Sequence, residues 1–129
     1  MKKCLFTIGH SNRALSEFLQ KLLDNKIDTL VDIRTLPQSR FCPWFNRNAL
    51  IQALGDKNVT YLFKGNNLGG RGENIDYEKT VEELISMIID GKRVCVMCSE
   101  GKYTDCHRHS MLEPSFNEKG VLVEHIGYN

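Results

Sequence analysis

Val94–His109, VCVMCSEGKYTDCHRH, is the stretch on which the reading of this chain turns. Its first five residues are apolar and end on a thiol, Cys98. A short polar loop follows, and a helix is expected to open at Cys106-His107-Arg108. Short apolar runs with β-branched residues, bounded by polar breaks, read as buried strands. Here a strand carries one thiol to its end, and the next helix begins with a second thiol, an imidazole and a guanidinium. That strand–loop–helix joint is where chemistry is to be sought.

Working outward, the same alternation recurs. Lys3–Ile8 reads as a strand closed by Gly9, and His10-Ser11-Asn12-Arg13 follows it. An amphipathic helix comes next, with Ser16 as N-cap, Glu17 in the first turn, and Leu15, Phe18, Leu19, Leu22 and Leu23 on one face. It should end near Asn25. Thr29–Ile33 is a second strand, leading into a loop that Pro37 and Pro43 keep from being helical. Asn46 caps a second helix with Ala49, Leu50, Ala53 and Leu54 as its stripe. Val59–Phe63 is a third strand, and Gly65–Gly72 a glycine-rich loop of irregular backbone. Tyr77–Asp90 is the clearest helix, with Val81, Leu84, Ile85, Ile88 and Ile89 in register and Gly91 at C′. After Arg93–Cys98, a last helix spans Asp105–Lys119. Pro114 should kink or split it, and Gly120 ends it before a final strand, Val121–Ile126. Alternating strands and helices with continuously apolar strands predict an α/β fold. The expectation is a single three-layer domain over residues 1–129, a mostly parallel sheet of about five strands with helices on both faces.

Composition supports an ordinary globular chain: 129 residues, 41% hydrophobic and 26% charged. No apolar run approaches the roughly 20 residues that span a bilayer. The apolar stretch after the N-terminal lysines falls short of the ~7–15 residues of a signal-peptide core. A cytoplasmic protein with no membrane partner is therefore expected, its thiols reduced. Its five cysteines, at 4, 42, 95, 98 and 106, lack a disulfide-scaffold spacing. A net charge of +1 exerts no global pull on nucleic acid.

Charge is nevertheless unevenly placed. In a parallel sheet, ligands bind outside the carboxyl ends of the strands. Arg13 follows the first strand; Arg34, Arg40 and Arg47 the second; Arg71 the third; Arg108 the fourth. Of seven arginines only Arg93 sits at the opposite edge, whereas most lysines lie in helices or at strand beginnings. Guanidinium forks match carboxylate and phosphate, so this edge reads as an anion-binding cleft. The plainer alternative is internal pairing with Asp32, Glu73, Glu100 and Asp105, which share that edge.

Several motifs stand in order along the chain: Thr7-Ile-Gly-His-Ser-Asn-Arg13, Val31-Asp-Ile-Arg34 with Pro37-x-Ser-Arg40, Pro43-x-Phe-Asn46, Leu68-Gly-Gly70, and Cys98-x-Glu100 followed by Cys106-His-Arg108. Together they resemble the DUF488 family of uncharacterised proteins over essentially the whole chain. The resemblance implies a small α/β domain and brings no assigned activity. Pro114 departs from the longer uninterrupted helix expected there.

The residues admit five chemical readings. Cys98 or Cys106, near arginines or at a helix start, can ionise and act as a nucleophile or redox thiol; the bland alternative is a small core residue, as Cys95 reads. Strand, loop, cysteine and helix are shared by analogy with rhodaneses and cysteine phosphatases. A phosphatase loop, however, would need arginine at position 104, which is threonine. Zinc binding by Cys98, Cys106, His107 and His109 lacks a standard ligand spacing, so no metal site is expected. Glu100 and His10 are candidate proton carriers, while Asp32 reads as the structural partner of Arg34 and His125 as a core histidine. The Gly65–Gly72 loop is neither a Walker loop nor a dinucleotide fingerprint, but Gly69, Gly70 and Arg71 can approach an anion. Phe41, Trp44 and Phe45 among Arg40 and Arg47 can stack on unpaired bases or simply pack on the sheet.

The leading expectation is a small cytosolic enzyme acting on an anionic, phosphate-bearing substrate. Its cleft holds Cys98, Cys106, Glu100 and His10 for catalysis, and Arg13, Arg34, Arg40, Arg71, Arg108, His107, Gly69 and Gly70 for the anion. It would be a cysteine-dependent transferase, hydrolase or thiol-redox enzyme. The alternative is a non-catalytic module binding a nucleotide or nucleic acid through the same arginines. No cofactor and no oligomeric state is written in these residues.

Overall fold

Five short apolar runs pair side by side in a computed structural model that describes residues 3–70, 73–101 and 106–128. They are β1 (Cys4–Gly9), β2 (Thr29–Asp32), β3 (Thr60–Phe63), β4 (Val94–Cys98) and β5 (Leu122–His125). Every pairing is parallel and the sheet order is β3-β2-β4-β1-β5. All four residues of β2 and all five of β4 are buried, which is why they carry no polar alternation.

Helices cover both faces. Side chains of a strand alternate, so Phe6, Ile8, Leu30, Cys95 and Met97 face one way. There they meet Phe18 and Leu22 of α1 (Leu15–Asp24) and Leu50 and Leu54 of α2 (Arg47–Gly55). Leu5, Val31, Val94, Val96 and Cys98 face the other way. They pack on Val81, Leu84 and Ile88 of α4 (Tyr77–Ile89), and on Leu112 and Phe116 from the last helical run. The three-layer α/β architecture expected from the alternation is what the chain adopts.

This order puts the centre of the sheet to use. The crossovers leaving β1 and β2 run over the α1/α2 face, and those leaving β3 and β4 run over the other, moving in opposite directions across the sheet. A single hand of crossover requires that arrangement. The connections leaving β2 and β4 therefore part to opposite faces, opening a crevice at their carboxyl ends. Hydrogen bonds continue beyond the strands there: Ile33 N–H donates to Met97 O at 3.0 Å, His10 N–H to Cys98 O at 3.0 Å and Ser11 N–H to Ser99 O at 2.9 Å. The tip of β4 is thus held from both sides.

Three local expectations change. Helix α1 begins two residues earlier than a Ser16 cap would allow, because Phe18 N–H already bonds Ala14 O at 3.1 Å. Ser16 lies inside the first turn. Asn46 does precede α2, but its side chain accepts from Ser39 N–H at 2.7 Å instead of capping, and Ala49 is exposed. The stretch from Gly65 is not irregular throughout: Gly65–Leu68 forms one helical turn, α3, closed by Leu68 N–H on Lys64 O at 2.8 Å and anchored by fully buried Leu68. A Cβ on Gly65 would strike Arg34 O and the Phe63 ring, so this glycine serves close packing.

Pro114 acts as its chemistry demands. The last helical run opens as a π-type turn, Arg108–Leu112, and becomes α-helical only at α5 (Glu113–Glu118), where Pro114 occupies the first turn. A residue without an N–H is tolerated there, and the wide turn before it avoids the ring's clash with a preceding carbonyl. Asp105, the expected start of this helix, lies outside the described residues, as do Arg71, Gly72 and the loop 102–104.

Candidate functional site

A cavity of about 390 Å³ lies at the crevice between the ends of β2 and β4. Ile33, Arg34 and Thr35 line it from the β2 side, Cys98, Ser99 and Glu100 from the β4 side, and Cys106 and His107 from the opening helix, with Gly70 near α3. The topology thus brings Cys98, Glu100, Cys106, Arg34, His107 and Gly70 to one place.

The two thiols meet there. Cys98 Sγ and Cys106 Sγ are 2.9 Å apart and hydrogen-bonded, and neither is in a disulfide. Two sulfurs so close titrate as a pair. Their mutual hydrogen bond and burial both push the Cys98 thiol up, although Arg108 pulls the other way. Cys106 is pushed down, chiefly by the same hydrogen bond, and further by His107 and the Arg108 backbone N–H, against the opposing effect of burial. His107 Nδ1 stands 3.5 Å from Cys106 Sγ. These directions favour ionisation at Cys106 over Cys98. Gly70 makes this packing possible, because a Cβ there would come within 2.8 Å of His107 Nδ1.

Two guanidinium groups are buried at this end of the sheet, Arg34 in the cavity lining and Arg108 near Cys98. Arg34 is only 4% exposed. Its Nε and Nη2 grip both oxygens of Asp32, at 2.9 and 2.7 Å, and Tyr61 Oη donates to the same carboxylate at 2.6 Å. Arg34 Nη1 is buried and has no hydrogen-bond partner. Arg108 is 1% exposed; its Nη2 donates to Gly101 O at 3.1 Å, while Nε and Nη1 are unpartnered. No carboxylate pairs with Arg108 among the described residues. An ionised thiol of the nearby pair would balance that charge.

The other expected site residues lie elsewhere. His10 is buried and stacked on Phe45 at 4.5 Å. Its Nδ1–H donates to Ser11 O at 2.7 Å, its Nε2 has no partner, and burial holds its pKa down, so it is a neutral ring behind the cavity wall. Arg13 pairs with Glu17 at 3.4 Å and lies over the Tyr128 ring. Arg40 is exposed on the loop after β2, away from the cavity lining. Gly69 packs against Gly65 O and Thr35 Oγ1 and offers its own carbonyl to Asn74. Trp44 donates its Nε1–H to Arg13 O at 2.9 Å, and Arg47 lies over Phe63 at 4.9 Å, so both are used within the chain. His125 is held between Thr7 Oγ1 at 2.6 Å and Glu113 Oε1 at 2.8 Å.

The sequence reading missed Thr35, Leu36 and Gln38 as lining residues. Their one signal is position, directly after a strand that turns out to sit beside β4. Among the described residues no group of three or more His, Cys, Asp or Glu side chains can hold a metal ion, and no helix is long and apolar enough to cross a membrane.

Comparison with known proteins adds a family. Residues 14–79 match the family described as a domain of unknown function, DUF488. No curated protein and no solved structure matches the chain. The match takes in α1, β2, Arg34, α2, β3 and Gly70, and stops short of β4 and both cavity thiols. Covering just over half of the chain, it makes this protein a member of the DUF488 family.

Proposed function

We propose that the protein is a small thiolate-dependent enzyme acting on an anionic, phosphate-bearing substrate in the cavity between β2 and β4. The observation that carries this reading is the hydrogen-bonded Cys98–Cys106 pair, close to the buried Arg108 guanidinium and in a cavity that Arg34 also lines. Cys106 is the nucleophile. Cys98 and His107 hold its charge, and Arg34, which lines the cavity, offers the substrate's anionic group a charge-assisted contact. Arg108 supplies the positive field that stabilises charge at the sulfurs. Glu100, at the cavity rim, is placed to carry protons to and from solvent. Arg13, Arg40, Gly69 and His10 take no direct part, which narrows the set that the sequence suggests. A non-catalytic nucleic-acid module would instead use Phe41, Trp44 and the loop arginines, and the tie of Trp44 to Arg13 O speaks against it.

Paired alkylating reagents test the reading without a known substrate. Anionic iodoacetate, relative to neutral iodoacetamide, should modify Cys106 about three- to tenfold faster than the same ratio for a free thiol at low salt. Inorganic phosphate should slow both reagents at that site. A ratio equal to that of a free thiol, with no protection by phosphate, would remove the anion cleft.

A further inference from the structure

Cys98 and Cys106 raise a second question, because a nucleophile needs no second thiol in contact with it. Their sulfurs are 2.9 Å apart, about 0.9 Å more than a covalent S–S bond of about 2.05 Å. Cys98 ends a central strand whose backbone is fixed on both sides, and Cys106 precedes the π-type turn, so the shift needed to join them falls on the opening of the last helical run. The other thiols are not so placed. Cys42 and Cys95 belong to the core layer on the opposite face, and Cys4 begins β1 at the far edge of the sheet.

We infer that the pair is a hydroperoxide-reactive dithiol, in which Cys106 is oxidised and Cys98 resolves it as an intramolecular disulfide. This rests on the proposal above that Cys106 is the reactive thiolate. In the first step the Cys106 sulfur attacks one oxygen of the hydroperoxide. An S–O bond forms, the O–O bond breaks, and the departing oxygen takes a proton to leave as water or an alcohol. The product is Cys106 sulfenic acid. In the second step the Cys98 sulfur attacks the Cys106 sulfur; the S–S bond forms, the S–O bond breaks, and the Cys98 proton leaves with the hydroxyl as water. Two electrons have passed from the dithiol to the peroxide, and an external thiol of low molecular weight returns them by exchange.

Access favours a hydroperoxide as oxidant over a bulky disulfide. Cys98 and Cys106 are only 3% and 7% exposed, yet both residues line the cavity. A water-sized peroxide can reach them, whereas in-line attack on a protein disulfide needs open approach. The buried positive charge of Arg108 stabilises the anionic oxygen that leaves in the first step.

The test is peptide mapping of the reduced full-length protein after stoichiometric hydrogen peroxide at neutral pH, without reduction. A Cys98–Cys106 disulfide that dithiothreitol reverses is expected, with Cys42 and Cys95 unmodified. In Cys98→Ser the sulfenic acid has no resolving partner, and its dimedone adduct at Cys106 should rise about tenfold over the parent. Should that variant fail to fold, the parent's map decides alone. Sulfinic acid at Cys106 with Cys98 untouched, a disulfide to another cysteine, or no reaction would each overturn the inference. Of these, the first leaves the nucleophilic thiolate standing; the alkylation ratio above fails only if the cleft reading itself is wrong.

Discussion

Asp32 and Arg34 show how one residue can serve the fold and the cavity together. The carboxylate is fully buried and accepts from Arg34 N–H, Nε and Nη2 and from Tyr61 Oη, so its desolvation is offset by four donors. In turn it fixes the Arg34 fork with Nη1 left over. Removing the carboxylate charge leaves a buried guanidinium unpaired. Asp32→Asn should therefore lower unfolding free energy by about 3–5 kcal/mol in a denaturant titration, and a change under about 1 kcal/mol would show that the pair is not holding the end of β2. Asp32 was legible as structural because its partner lies two residues away. The unspent Nη1 was not, since which nitrogen of a fork is used depends on where Tyr61 falls on the neighbouring strand.

Helix ends carry much of the element-level information. Gly91 closes α4 at φ +96, with its N–H on Ile88 O and the Lys92 N–H on Met87 O, both at 3.0 Å. Lys26 occupies the matching left-handed position after α1 at φ 55, where a side chain is costly. Gly91→Ala should lose about 1 kcal/mol and Lys26→Gly gain up to about 1 kcal/mol, read as opposite shifts of the thermal midpoint. Shifts of the same sign would contradict the two closures. The glycine end was readable from sequence because glycine announces a positive φ; the lysine end was visible only as the place where the apolar stripe stops. The start of α1 was misplaced for a related reason. Ser16 has the chemistry of a cap, but the backbone turn after His10, with Ser11 at φ 50, starts the helix sooner than any side chain signals.

For the molecule as a whole, strands were legible to within a residue because β2 and β4 are buried on both faces and must be apolar throughout. Their order was not, because nothing in a strand's own residues names its neighbour. That order decides the chemistry. Placing β4 between β2 and β1 brings Cys98 and Arg34 to one cavity, and the return of the chain through Cys106 sets the second sulfur against the first. Arg13 and Arg40 share the carboxyl edge as expected, yet an edge is wider than a cavity, and the salt bridge to Glu17 and an exposed loop position keep them out of it.

The function proposed here requires a thiolate at Cys106, and the titration of that residue tests it most directly. A depressed thiol pKa means that the anion is present at neutral pH and is lost only on acidification through that lowered value. Peptide-resolved alkylation of Cys106 by iodoacetamide, followed from about pH 3 to pH 9, should already be at its plateau at neutral pH and fall only well on the acid side. In Cys98→Ser or His107→Ala the midpoint should move up toward the ordinary thiol value. A Cys106 rate that keeps climbing through about pH 8.5, as an unperturbed thiol does, would contradict the charge-sharing pair and the function proposed for it.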